Sequence, residues 1–278
     1  MKADYHVHSS FSDDSTTPMQ EQVERAIALS FDELCFTDHV DYGIKKDWAE
    51  GNIAYRNGEP IANVDYPRFF AEIANVRDAY EGRCTVRTGL EFGMQTITLD
   101  AFRKLYARYQ DQLDFVLLSC HQVDNQEFWT GDYQRGRTQK EYNERYYEEL
   151  YAVMQQYKDY QVLAHLDLIA RYDPTGVYPF EKLREPIAEL LRLAIRDGKG
   201  IELNTSSWRY KLQDSQPSRA ILRLYKELGG KILTIGSDAH SPAQLGAHYD
   251  DAVAILRDEI GFTEIYTFDH QQPQGHKL

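Results

Sequence analysis

Short apolar runs alternate with longer amphipathic stretches from one end of the chain to the other. Ala3–Val7 reads as a strand. Thr17-Pro18-Met19-Gln20 reads as a helix start, with Thr17 as N-cap, Pro18 at the first helical position and Gln20 completing a capping box. Val23, Ala26 and Ile27 follow at helical spacing. The pairing then repeats. Further strands are predicted at Glu33–Thr37, Cys84–Leu90, Phe115–Cys120, Gln161–Ala164, Gly200–Asn204 and Lys231–Gly236. Helices are predicted from Asp65-Tyr66-Pro67 onward, at Leu99–Tyr109, after the capping box Thr138-Gln139-Lys140-Glu141, and at Leu183–Ile195, Pro217–Leu228 and Asp250–Ile260. A short strand, Glu264–Phe268, and a polar tail end the chain.

Strand followed by helix throughout implies parallel strands joined by right-handed crossovers. Seven such units suit a barrel, and several strands are apolar on both faces, as barrel strands are. An open doubly wound sheet would give the same pattern. No second set of core-forming elements and no linker is visible, so residues 1–278 are expected to form one domain. Two polar stretches break the rhythm, 40–64 and 122–137. The first is too long for an ordinary connector and reads as an active-site insert.

Composition narrows the partners. The 278 residues carry a net charge of -13 and a pI of about 5.1. That field repels nucleic acid backbones and anionic membranes, and it favours a small-molecule partner over either. None of the three cysteines, Cys35, Cys84 and Cys120, belongs to a CxxC pair, and Cys35 and Cys120 lie in apolar runs as core residues do. No secretory leader pattern and no apolar run near the roughly 20 residues of a membrane span is found, so a soluble, cytoplasmic protein is expected.

The candidate chemistry sits where the predicted strands end. His6 and His8 end the first, His39 the second, Glu91 the third, His121 the fourth, His165 the fifth, and Asp238 and His240 the seventh. Six of the nine histidines fall at these points; His248, His270 and His276 do not. Parallel α/β folds gather their strand C-termini on one face, where sites are built. Six imidazoles without partners would be costly to bury there, whereas a group of metal ions would use them.

The motifs His6-Val7-His8, Thr37-Asp38-His39, Gly89-Leu90-Glu91, Ser119-Cys120-His121, Ala164-His165-Leu166-Asp167 and Gly236-Ser237-Asp238-Ala239-His240 resemble those of the PHP (polymerase and histidinol phosphatase) family, in order and spacing, over nearly the whole chain. The stand-alone histidinol-phosphate phosphatases are the most similar members. They share the overall length, the long insert after Asp38-His39, the run Ala170-Arg171-Tyr172 after His165, and Glu202-Leu203-Asn204-Thr205 before Gly229-Gly230-Lys231. The resemblance implies a distorted (β/α)7 barrel, TIM-like, and a centre of three divalent metal ions. One ion would be held by His6, His8, Glu91 and Asp238, with Glu91 bridging to a second that adds His121 and His165. The third would use His39, His240 and an acidic residue, Asp14, with the adjacent Asp13 as competitor. Zinc, iron and manganese all suit nitrogen and carboxylate donors.

Such a centre implies phosphomonoester hydrolysis by attack of a metal-bound hydroxide on phosphorus, with Asp238, His240 and Glu91 as the catalytic group. Arg171, and Arg209 at a position displaced from the family pattern, are the expected phosphate contacts. L-histidinol phosphate as substrate rests on the resemblance. Acidic residues of 40–64, or Trp48 and Trp129, are candidates to read the rest of it. Other phosphorylated small molecules, nucleotides or a phosphotyrosine protein are the alternatives. A non-catalytic metal-binding accessory module is a further one, disfavoured by the complete ligand set. Asp167, in the same motif as His165, has a plainer alternative, as a partner that orients a ligand histidine.

Overall fold

Seven strands of this chain are buried along most of their length and pair with one another in parallel, each with its sequence neighbour. They are β1 (Ala3–Val7), β2 (Glu33–Val40), β3 (Thr85–Gly93), β4 (Phe115–Ser119), β5 (Val162–Leu163), β6 (Gly200–Asn204) and β7 (Leu233–Gly236). The structure, a computed structural model, describes residues 1–56 and 58–278; Asn57, inside the predicted insert, lies outside the described residues. Beyond the seven-strand sheet, Val7 bridges to Ala239, and the amides of His8 and Asp238 bond to the carbonyls of Ala239 and His6 at 2.9 and 2.8 Å. The sheet thus comes back on itself as a nearly closed barrel. This resolves the choice between barrel and open sheet that periodicity alone leaves open.

Helices α1 (Met19–Ala28), α2 (Tyr66–Ala79), α3 (Leu99–Tyr109), α4 (Gln139–Gln156), α5 (Phe180–Arg196), α6 (Arg219–Glu227) and α7 (Tyr249–Ala254) follow the strands in order. Their apolar faces bury Val23, Phe69, Ile73, Phe102, Leu150, Ile187 and Leu222 in one large cluster with the strands' outer residues. A smaller cluster of Ala3, Tyr5, Cys35, Phe115, Leu117, Val162, Ala164 and Phe268 fills the barrel interior. Phe268 arrives from a C-terminal hairpin, Glu264–Asp269 with Gln272–Lys277. The tail expected to be a polar extension is therefore a paired strand, and the amide of Phe268 donates to Tyr5 Oη at 2.6 Å.

Two local expectations differ from the structure. Thr17 does not cap α1: the helix starts after Pro18 without a side-chain cap, and Thr17 Oγ1 donates to the carbonyl of His240 at 3.0 Å. Gln20 turns to Glu72 instead of closing a capping box. Tertiary partners have outcompeted the local ones. By contrast, the Thr138–Glu141 capping box of α4 is present in full.

Strict alternation would put Tyr5 and His6 on opposite faces of β1. The pairing with β2 slips between Asp4 and Val7, a bulge. Tyr5 can then join the barrel interior while His6 turns to the C-terminal mouth, a use to which bulges are commonly put. The two polar inserts lie over that mouth. The first carries a hairpin, Ala54–Arg56 with Glu59–Ile61, and the second carries Gln122–Val123 with Gln126–Glu127.

Candidate metal centre

Glu91, fully buried near the end of β3, is the hub of the mouth. Its Oε1 accepts from Ser119 Oγ at 2.5 Å and faces His121 Nε2 at 3.1 Å and His165 Nε2 at 3.0 Å. Its Oε2 faces His39 Nδ1 at 2.9 Å, His6 Nε2 at 3.3 Å and His8 Nε2 at 3.6 Å. Asp238 Oδ1 lies 3.7 Å from His6 Nε2, 3.6 Å from His8 Nε2 and 3.7 Å from His240 Nδ1. Six strands thus bring their terminal side chains to one spot.

The acidic residue beside His39 and His240 is Asp14, whose Oδ2 lies 3.5 and 3.1 Å from their Nε2 atoms. Asp13, on the same cavity wall, is instead paired with Lys45 Nζ at 2.6 Å. Four triplets place one donor atom from each member within 4.8 Å of the others: His6–His8–Glu91, His6–His165–Asp238, His39–Glu91–His121 and His8–His39–His240. They overlap through shared members, as a multinuclear centre requires.

The donors fit metal ions better than they fit each other. His6 Nε2, His8 Nε2, His39 Nδ1, His240 Nε2 and Glu91 Oε2 are buried and make no aligned hydrogen bond, although opposite charges are near. Unsatisfied buried polar atoms are costly singly, and five in one place need a ligand. The charges conflict as well. Burial, together with the charges of His240 and His39, pushes His8 well below the ordinary imidazole range. Burial also works against the imidazolium of His121, but Asp41 and Glu91 outweigh it and lift that group to about 9. Cations at the centre would let every ring present a lone pair instead.

The ring nitrogens that face outward are held by residues to which the sequence reading gave no role. Asp41 Oδ1 meets His121 Nδ1 at 2.7 Å and is braced by Lys45 at 2.8 Å. Ser12 Oγ meets His8 Nδ1 at 3.1 Å and donates to Asp38 Oδ1 at 2.7 Å. Glu202 Oε1 meets His6 Nδ1 at 2.7 Å. The available signal was alternation: Asp41 lies two residues beyond His39, and Glu202 and Asn204 share the inner face of β6. A Cβ at Gly93 would overlap Asp41 Oδ1, so glycine there admits the Asp41–His121 contact.

Of the two arginines, Arg171 lines the mouth. It is almost fully buried and donates to Asp238 Oδ2 at 3.0 Å, Gln216 Oε1 at 2.5 Å, Asn204 Oδ1 at 3.2 Å and Ser206 Oγ at 2.5 Å. Arg209, expected at the phosphate, is turned to the backbone carbonyls of Asp238 and Ser237 at 2.8 and 3.5 Å and is not among the cavity-lining residues. Asp167 does not touch His165: its Oδ2 accepts from Ser218 N at 2.9 Å, and burial lifts its pKa to about 6.

A cavity of about 550 Å³ opens over the centre. Its outer walls are Arg56, Glu127 and Trp129 from the inserts, with Arg171, Tyr172 and Tyr210 opposite. The Arg56 guanidinium lies 4.7 Å from the centre of the Trp129 ring, so the two inserts meet over the opening. Trp48 is elsewhere, in a groove of about 730 Å³ beside α3 that contains none of the clustered histidines. Size alone would pick the groove; the donor chemistry picks the cavity.

Known proteins resemble this chain over its full length. A profile of the PHP domain matches residues 4–206. A histidinol-phosphatase of Lactococcus lactis is 28% identical over 281 residues, covering 99% of this chain and 97% of that protein. A probable histidinol-phosphatase of Deinococcus radiodurans is also 28% identical, over 98% of each chain. The crystal structure of a Lactococcus lactis histidinol phosphate phosphatase, complexed with zinc, L-histidinol and phosphate, aligns with a TM-score of 0.86 at 28% identity over 98% of each chain.

Proposed function

The chain belongs to the PHP domain family, and from that premise we propose that it is a metal-dependent phosphomonoesterase that hydrolyses L-histidinol phosphate to L-histidinol and phosphate, a step of histidine biosynthesis. The observation that carries the reading is the convergence of six histidines with Asp14, Glu91 and Asp238 under one cavity, the inward nitrogens of His6, His8, His39 and His240 lacking an aligned protein partner. The full-length likeness to histidinol-phosphatases, one of them solved with L-histidinol and phosphate, supports the substrate.

We assign His6, His8, Glu91 and Asp238 to one ion, Glu91, His121 and His165 to a second, and Asp14, His39 and His240 to a third, each zinc, iron or manganese. Bound divalent ions would supply an acidified water and positive charge for the phosphoryl oxygens. The chain's own groups do the rest. Arg171 has five N–H donors and spends four inside the protein, which leaves one on Nη1 for a phosphoryl oxygen at the cavity wall. Asp238 faces the histidines through Oδ1 and Arg171 through Oδ2, and is the group placed to take the proton of the attacking water. The proton it takes is then available to the leaving alkoxide, while His240, on the cavity side, keeps its Nε2 lone pair for the third ion and its Nδ1 proton on the carbonyl of Asp238. Arg209 positions this pair by holding the carbonyl of Asp238. Trp129, Glu127 and Arg56 are left to contact the alcohol part of the substrate.

The test is metal analysis of the purified protein together with phosphate release from L-histidinol phosphate and a panel of sugar phosphates, nucleotides and phosphotyrosine. The expected result is bound metal and a kcat/KM for L-histidinol phosphate far above the panel, lost with chelator. A faster panel member would overturn the substrate, and full activity without metal would overturn the centre.

A further inference from the structure

We propose that Glu202 is a positioning residue that sets the tautomer of His6 and ties it to His165, so that one carboxylate on β6 aligns ligands from β1 and β5. The inference rests on the metal reading above. Glu202 is fully buried, and its only ion-pair partner among the described residues is His6. A buried carboxylate without lysine or arginine is expensive to keep, so its bonds need a purpose. Oε1 meets His6 Nδ1 at 2.7 Å, and Oε2 accepts from the backbone amide of His165 at 2.8 Å and from Asn204 Nδ2 at 3.1 Å. An ionised carboxylate has no proton to give, so the proton of that bond sits on His6 Nδ1. Nε2 is then a lone pair, and it is this atom that faces Glu91 Oε2 at 3.3 Å and Asp238 Oδ1 at 3.7 Å.

The bond to His165 does separate work. Ala164 faces the barrel interior, so a continued strand would send His165 outward. His165 instead has φ +20°, outside the extended range, and the Glu202 bond to its amide holds that turn. The backbone makes room for the carboxylate: a Cβ at Gly236 would overlap Glu202 Oε1 and His6 Cβ. A glutamine at 202 would fill the same space but read differently. Its amide group could donate to His6 Nδ1 while its oxygen kept the His165 amide. The His6 proton would then move to Nε2 and point into the cluster.

The experiment uses the full chain reconstituted with Zn²⁺ and titrated with a chromophoric chelator, for wild type, E202Q and E202D. Zinc affinity is expected to fall roughly 10- to 100-fold in E202Q, with far-UV circular dichroism unchanged and a smaller loss in E202D, which keeps a proton acceptor. Long-range proton–nitrogen spectra should show the His6 proton on Nδ1 in the wild type and on Nε2 in zinc-free E202Q. Wild-type affinity in E202Q, or equal losses in E202Q and E202D, would overturn the proposal. So would a wild-type His6 protonated on Nε2, a readout that needs no variant. If the wild type itself bound no zinc, the metal reading would fall first, and the role of Glu202 with it.

Discussion

Arg171 shows how tightly single residues are bound into this centre. Its guanidinium is buried against Asp238, and its other donors hold Gln216, Asn204 and Ser206. Removing one partner of a buried ion pair leaves the other charge uncompensated, at a cost of about 3 kcal/mol or more. R171A is therefore expected to destabilise the metal-free protein by about that amount in urea titrations. R171K keeps the charge but not the fork, and should lose less stability. Both should raise KM for a phosphomonoester, which steady-state kinetics on the metal-loaded enzyme would check. An R171A protein as stable as wild type would show that Asp238 does not depend on this pair.

Among the elements, α4 makes two predictions. Its capping box joins Thr138 Oγ1 to the amide of Glu141, and Glu141 back to the amide of Thr138. T138A should cost about 1 kcal/mol of stability, read as a lower urea midpoint with an unchanged slope. The same helix meets the loop after β5 through Asp173, which accepts from Tyr142 Oη at 2.6 Å, Gln139 Nε2 at 3.0 Å and the Thr175 amide at 3.0 Å. Partial burial opposes ionisation of Asp173, but these bonds hold its pKa below the ordinary value. A group depressed on folding stabilises above its unfolded pKa, near 3.9, and that contribution is lost as pH falls through the folded value. The stability gap between wild type and D173N should thus be constant above about pH 5 and shrink in more acidic solution. A gap that widened on acidification would contradict the sign of this shift.

At the scale of the molecule, the barrel and its centre are one unit. Side chains from six of the seven strand ends, and from the turn after β1, meet in the cluster built on Glu91 and Asp238. Ions bound there stabilise only the folded chain. At a free metal concentration 1,000 times Kd the gain is about 4 kcal/mol. For a chain of this size that is roughly 10 °C in melting temperature. A chelator should lower the melting temperature by about that much, and calorimetry with and without it is the check. Coincident melts would mean that the donors do not bind metal in the folded protein.

The strand–helix rhythm, the seven strands and the position of every clustered histidine were legible in the chain itself. They depend on local periodicity and on the rule that parallel strands end on one face, and both act within a few residues. The Thr138 cap was legible for the same reason. What tertiary structure decided involves partners far apart in sequence. Closure depends on Val7 meeting Ala239. Thr17 left its helix for the His240 carbonyl, and the polar tail became a strand against Glu264–Asp269. Asp14 rather than Asp13 faces His39 and His240, because Lys45 from the first insert takes Asp13. Arg209 lies on backbone carbonyls, and Glu202, Asp41 and Asp38 stand behind the histidines. No pattern along a chain encodes which carboxylate fills a particular space between two strands. That is set by packing, where the burial of each charge is offset only by the partner the fold delivers to it.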